Sequence, residues 1–93
     1  MIDTAMAVEF PNHSRSYDES RQRIRFSGYD GTREIHMFIE EAAVWLLDAG
    51  KRSAGAGLLA AFDHHRERIC KAAAIAYGRN REGYFTLTAK DFG

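Results

Sequence analysis

A chain of 93 residues makes one domain, and at this size it buries roughly 60–70% of its unfolded surface, enough for a core without metal or disulfide staples. With 45% hydrophobic and 28% charged residues it has the profile of a soluble globular protein, and its 13 basic and 13 acidic residues leave no global field to steer it toward nucleic acid or membrane. Cys70 is the single cysteine, which excludes an intramolecular disulfide framework and suits a reducing cytoplasm.

The N-terminal stretch Met1 to Phe10 lacks a basic n-region and carries acids among its apolar residues, so it is not read as a signal peptide. The longest apolar run, Ala42 to Leu47, falls far short of the roughly 20 residues that span a bilayer. A cytoplasmic, soluble protein without a membrane partner is expected, one domain over 1–93 with frayed ends at 1–5 and 93.

Met6, Val8 and Phe10 alternate with Ala7 and Glu9 and predict a short strand that Pro11-Asn12 ends. His13 to Ser20 is polar and serine-rich and reads as a connection. Asp30-Gly31 is a strong two-residue hairpin signal, because a type I′ turn needs positive φ at both central positions. Strands are then expected near Gln22–Tyr29 and Thr32–Ile39. Their pairing sets Tyr29 opposite Thr32, Phe26 opposite Ile35, Arg25 opposite His36 and Arg23 opposite Phe38. The period of two puts Ile24, Phe26, Ile35, Met37 and Ile39 on one face. The other face receives Arg23, Arg25, Tyr29, Glu34, His36 and Phe38.

Glu40 and Glu41 set negative charge where a helix begins, Ala42, Ala43, Leu46 and Leu47 recur at helical spacing, and Gly50 suits the C′ position. Lys51 to Gly57 reads as a small-residue linker in which Ser53 can cap the next helix. That helix is expected from about Ala54 to Tyr77. Its apolar stripe is Leu58, Leu59, Phe62, Ile69, Ala73, Ala76 and Tyr77, with Asp63, His64, Glu67, Arg68 and Lys71 opposite. After a polar turn at Arg79–Gly83, Tyr84 to Thr88 forms the last strand, with Phe85 and Leu87 on one face and Tyr84, Thr86 and Thr88 on the other. The expected fold is therefore α+β, in the order β-β-β-α-α-β, an antiparallel sheet with two helices packed on one face.

Several short stretches resemble a small bacterial family known as a domain of unknown function, DUF1488. They are Phe10-Pro11, Tyr17-Asp18 with Arg21, Ile24-Arg25-Phe26 and Gly28, then Phe62, Arg66, Ile69, Ala73 and Tyr77, and finally Tyr84 through Phe92. The resemblance covers the chain from about Val8 onward. It implies a small α+β domain and brings no activity and no catalytic residues.

The residue types that carry chemistry are few. His13, His36, His64 and His65 fit no zinc or calcium spacing, and adjacent His64 and His65 diverge around a helix, so neither a metal nor a cofactor is expected. Cys70 follows Arg66 by one helical turn, where a guanidinium would lower the thiol pKa, yet no histidine stands locally as its base. Arg66 falls inside the apolar stripe, and a buried arginine must be paired. Asp18 or Asp91 is the expected partner in a structural ion pair, and an anion-binding cleft is the competing role. Asp18 alone reads as the start of a turn. Trp45, with Val44, projects away from the stripe of the first helix, which offers either a docking residue or burial beneath the linker.

The outer sheet face is the main candidate site. Arg23, Arg25, Tyr29, His36, Phe38 and Tyr84, with Trp45, combine aromatic and basic groups that the core does not need. A non-enzymatic binding or regulatory module is expected, acting through a protein partner or a homodimer. The alternative is a nucleic-acid-binding accessory protein that stacks single strands on the same face, which Glu9 and Glu34 oppose. An enzyme ranks last, because Arg66, Asp18 and Cys70 assemble no nucleophile, base and charge stabiliser.

Overall fold

The hairpin organises the molecule. In a computed structural model, which describes residues 8–48, 57–79 and 84–92, it consists of β3 (Arg23–Asp30) and β4 (Arg33–Glu40). Its loop is Gly31-Thr32, one place later than expected, since Asp30 pairs with Arg33 across it. Gly31 has φ +66°, whereas Thr32 is not among the residues with positive φ, the pattern of a type II′ turn with glycine first. Asp30 thereby stays in the strand, and its Oδ2 accepts a 2.7 Å hydrogen bond from the buried Tyr77 hydroxyl.

The register shifts by two residues from the expected one: Arg23 faces Glu40, Ile24 faces Ile39, Arg25 faces Phe38, Phe26 faces Met37, Ser27 faces His36 and Tyr29 faces Glu34. A two-residue shift leaves every side chain on its expected face, because the side-chain period is also two.

Two short strands share the free edge of β3. They are β1 (Val8–Glu9), opposite Asp30 and Tyr29, and β2 (Arg15–Asp18), opposite Phe26 to Arg23. The segment between them, containing Pro11, which has no N–H to give a ladder, leaves the sheet. β2 corrects the reading of His13–Ser20 as mere connection.

Among the described residues, three helices follow: α1 (Glu41–Leu47), α2 (Gly57–His64) and α3 (Arg66–Arg79). The backbone N–H of Glu41 donates to the Gln22 carbonyl at 3.0 Å, which ties the start of α1 to the β2–β3 connection. The long second helix of the sequence reading is divided at His65. At that point the apolar stripe is interrupted by His65 and Arg66, and each turns to a partner outside α2 and α3. His65 Nε2 lies 3.0 Å from Asp48 Oδ1, and Arg66 Nη2 donates to the Asn12 carbonyl at 2.7 Å.

The last strand, β5 (Tyr84–Leu87), lies beside β4 in parallel, which corrects a wholly antiparallel sheet to a mostly antiparallel one. A 3-10 turn, Ala89–Phe92, closes the described chain. Thr88 Oγ1 accepts from the Lys90 N–H, and the Asp91 carboxylate accepts from the Thr88 N–H at 2.8 Å, so Thr88 and Asp91 form a capping box for this turn.

The architecture is α+β, and the core lies between one sheet face and the helices. Ile24, Phe26, Ile35, Met37, Ile39 and Leu87 pack with Val44, Phe62, Ile69 and Tyr77 in a single cluster. Among the described residues, no helix is long and apolar enough to cross a membrane. The expected strand start at Met6, the Gly50 stop, the Ser53 cap, most of the 51–57 linker, the 80–83 turn and the frayed ends fall outside the described residues.

Candidate functional site

On the sheet face away from the helices, the strands bring Arg23 and Arg25 (β3), His36 and Phe38 (β4), Tyr84 (β5) and Ser16 and Asp18 (β2) around a shallow concavity of about 450 Å³. The alternation that buries Ile24, Phe26, Met37 and Ile39 dictates this arrangement, because their odd- and even-numbered neighbours have no other face to occupy.

Phe38 forms the floor and is only 5% exposed, although it lies on the outer face. Two neighbours cover it. The Arg23 guanidinium carbon sits 3.6 Å from its ring centroid, a cation–π contact, and the Tyr84 ring meets it edge-on at 5.2 Å. Arg23 is further held by Asp18 Oδ2 and Thr86 Oγ1, each at 3.3 Å, so its charge is largely spent inside the protein. Asp18 also accepts from the Ser20 hydroxyl at 2.8 Å. That bond, the Arg23 side chain and the Arg21 N–H hold its carboxyl below the usual range, against a smaller opposing effect of burial.

Arg25 differs. It is exposed, and its one hydrogen-bonding contact among the described residues is a long 3.4 Å approach of Nη2 to His36 Nδ1. A guanidinium only donates, so in this contact Nδ1 stands on the accepting side. Arg25 and Tyr84, which is 61% exposed, are the groups with unspent capacity: one cation and one aromatic face. A flat apolar group beside a carboxylate fits that pair.

Of the expected outer-face residues, Arg23, Arg25, His36, Phe38 and Tyr84 converge in the concavity. Tyr29 lies on the same face but nearer the hairpin turn, between Glu9 and Glu34 in neighbouring strands. Trp45 does not join them: it is 6% exposed and belongs to the core, with its indole N–H 3.4 Å from Glu41 Oε2. α1 is rotated from its expected orientation, with Val44 and Trp45 inward and Leu46 outward. The sequence reading lacks Ser16 altogether and takes Asp18 only as a turn residue or ion-pair partner, because β2 itself is hard to read. Its inward-facing positions are Arg15 and Tyr17, which bind Asp63 and Glu41 rather than filling the core, so the strand carries no hydrophobic alternation to read.

Arg66 has neither expected carboxylate. Asp18 is taken by Ser20 and Arg23, and Asp91 by the Thr88 N–H. Arg66 instead fastens the β1–β2 loop through the Asn12 carbonyl, and its Nη1 is buried with no hydrogen-bond partner. It does lower the Cys70 thiol pKa, but burial outweighs it and the net shift is upward, away from a reactive thiolate. Among the described residues, no three His, Cys, Asp or Glu side chains gather as a metal-holding group.

A family described as protein of unknown function (DUF1488) matches residues 8–87. The solved structure of a protein of unknown function from the same family, from Shewanella loihica PV-4, is similar with a TM-score of 0.77 and 17% identity, covering 94% of this chain and 96% of that one. At that identity the likeness is one of fold alone. No curated protein matches the chain.

Proposed function

This chain belongs to the DUF1488 family of proteins of unknown function, and on the geometry of its outer sheet face we propose that it is a non-enzymatic binding or regulatory module that docks a protein partner there. One observation carries the reading. The face opposite the helices gathers an exposed arginine, an exposed tyrosine and a phenylalanine-floored concavity, none of which the core requires. Aromatic and arginine side chains together are what protein-docking surfaces concentrate. A reducing bacterial cytoplasm suits a chain with one unpaired cysteine.

The acidic groups on the same face favour protein over nucleic acid. Glu9, Glu34 and Glu40 border the basic centre, and all three are exposed. A single carboxylate can reach Arg25 between them, whereas a continuous phosphate chain would run over like charges. Enzymatic chemistry gains little here, because Arg23 and Asp18 neutralise one another.

Site-specific photo-crosslinking in cells tests the reading. A photoreactive residue at Ser27, on the outer face, should give discrete protein adducts that Arg25→Glu and Tyr84→Ala abolish. The same probe at Lys71, on the exposed side of α3, should not give them. Equal adducts from both positions, or adducts indifferent to the two substitutions, would overturn it.

A further inference from the structure

Near the centre of the outer face stand one exposed cation, Arg25, and one exposed carboxylate, Glu34, with Glu9 and Glu40 farther out. Arg25 lies on β3, two residues from Ser27, and Glu34 lies on β4, two residues from His36 in the direction of the hairpin turn. Ser27 and His36 are themselves paired, so the cation and the carboxylate stand diagonally on either side of one point near the centre of the face. Both are exposed, and Glu34 makes no ion pair with a described residue. Glu9 stands near Glu34, next to Tyr29, and reinforces the acidic end.

Such a pattern is what a self-complementary surface requires. In an isologous interface each group must meet its complement elsewhere on the same patch, and every such contact occurs twice. We infer that the partner on this face is a second copy of the chain, docked face to face about a twofold axis that lies in the interface and crosses the sheet near the Ser27–His36 pair, with Arg25 of each protomer against the partner's Glu34. The inference rests on the reading of the outer face as a protein-docking surface. The same axis brings the Phe38–Tyr84 side of one sheet onto that of the other, so the exposed Tyr84 ring is covered by aromatic surface rather than water.

Size sets the strength. The sheet is four strands wide and its central strands are eight residues long, a face of roughly 500 Å² by strand spacing and rise. Two such faces bury on the order of 1,000 Å², the lower limit for a specific interface. A reversible, concentration-dependent and salt-sensitive dimer follows, because rim charges are screened by salt.

Charge reversal tests the pairing. In sedimentation velocity at low salt, the full chain should pass from monomer to dimer as its concentration rises through the micromolar range. Arg25→Glu and Glu34→Arg should each weaken the dimer by about tenfold or more, since each sets two like-charged pairs in contact. An equimolar mixture of the two variants should recover it, because in the mixed dimer both contacts again join opposite charges. The double variant R25E/E34R should recover it as well. Far-UV circular dichroism on each variant verifies that the fold is intact. A wild-type chain that remains monomeric to high micromolar concentration overturns the inference, as do single variants that dimerise normally, or a mixture and double variant that fail to recover. In any of those cases, Ser27 adducts to a different protein that still depend on Arg25 and Tyr84 would leave the docking surface standing and remove only the second copy.

Discussion

Gly28 shows how one residue positions the sheet edge. It lies in the middle of β3 on the core side, opposite Ile35. A Cβ built there would come within 2.8 Å of Phe10 Cε2, 2.9 Å of Val8 Cγ1 and 3.1 Å of the Glu9 carbonyl oxygen. The ring could swing aside, but the carbonyl belongs to β1 itself and moves only if the strand moves. Gly28→Ala should therefore lower stability by about 1–3 kcal/mol, the usual cost of overpacking, read as a lower denaturant midpoint at unchanged slope. An unchanged midpoint would mean that β1 does not press on β3. Arg66 shows where legibility stops at this scale. Its place within the apolar stripe, and so its need for a partner, can be read from spacing. Its partner is a loop carbonyl, Asn12, whose direction depends on a backbone path that no side chain announces.

At the scale of elements, the readable ones are those whose side chains alternate or cycle between core and water. β3, β4, α3 and β5 do so, and their faces were legible even where the register or the strand direction was not. β2 was hidden because its inner positions are polar residues that reach helix carboxylates: Arg15 makes a bidentate pair with Asp63 at 2.8 Å, and the Tyr17 hydroxyl donates to Glu41 at 2.7 Å. The connection from β2 to β3 holds Asp18 at the centre of a small network. The folded state depresses the Asp18 pKa, chiefly through the Ser20 hydroxyl and then through Arg23 and the Arg21 N–H. A carboxyl depressed on folding adds stability that is fully present above its unfolded pKa and is lost as pH falls through the folded value. Wild-type stability should therefore decline as pH drops through and below the ordinary carboxylate range. Asp18→Asn should be less stable than wild type at neutral pH, and the gap between the two should narrow toward low pH. A gap that stays constant from neutral to acid in urea titrations would show that ionisation of Asp18 adds nothing to folding.

At the scale of the whole molecule, β5 and the turn that follows it close the sheet against the helices. β5 is parallel to β4, so the chain must leave the sheet, build three helices over its inner face and return before Leu87 can be buried beside Ile39. The family match ends at that residue, yet the chain continues into the 3-10 turn Ala89–Phe92, which packs against both α1 and α3. Phe92 lies half-buried on the core cluster, and the Thr88–Asp91 capping box fixes the turn from which it projects. The turn therefore braces α1 and α3, the latter packed on β5, and keeps that strand from peeling away. Half-burial of a phenylalanine is worth about 1–2 kcal/mol, and a cap about 1 kcal/mol. A chain ending at Leu87 should then lose about 2–3 kcal/mol, which for a domain of this size lowers Tm by about 10–20 °C. Its far-UV circular dichroism at low temperature should keep the α+β signature, since every strand and every α-helix remains. Cooperative unfolding at an unchanged Tm would show that β5 holds without its brace, and that the closing contacts come from the sheet and α3 alone.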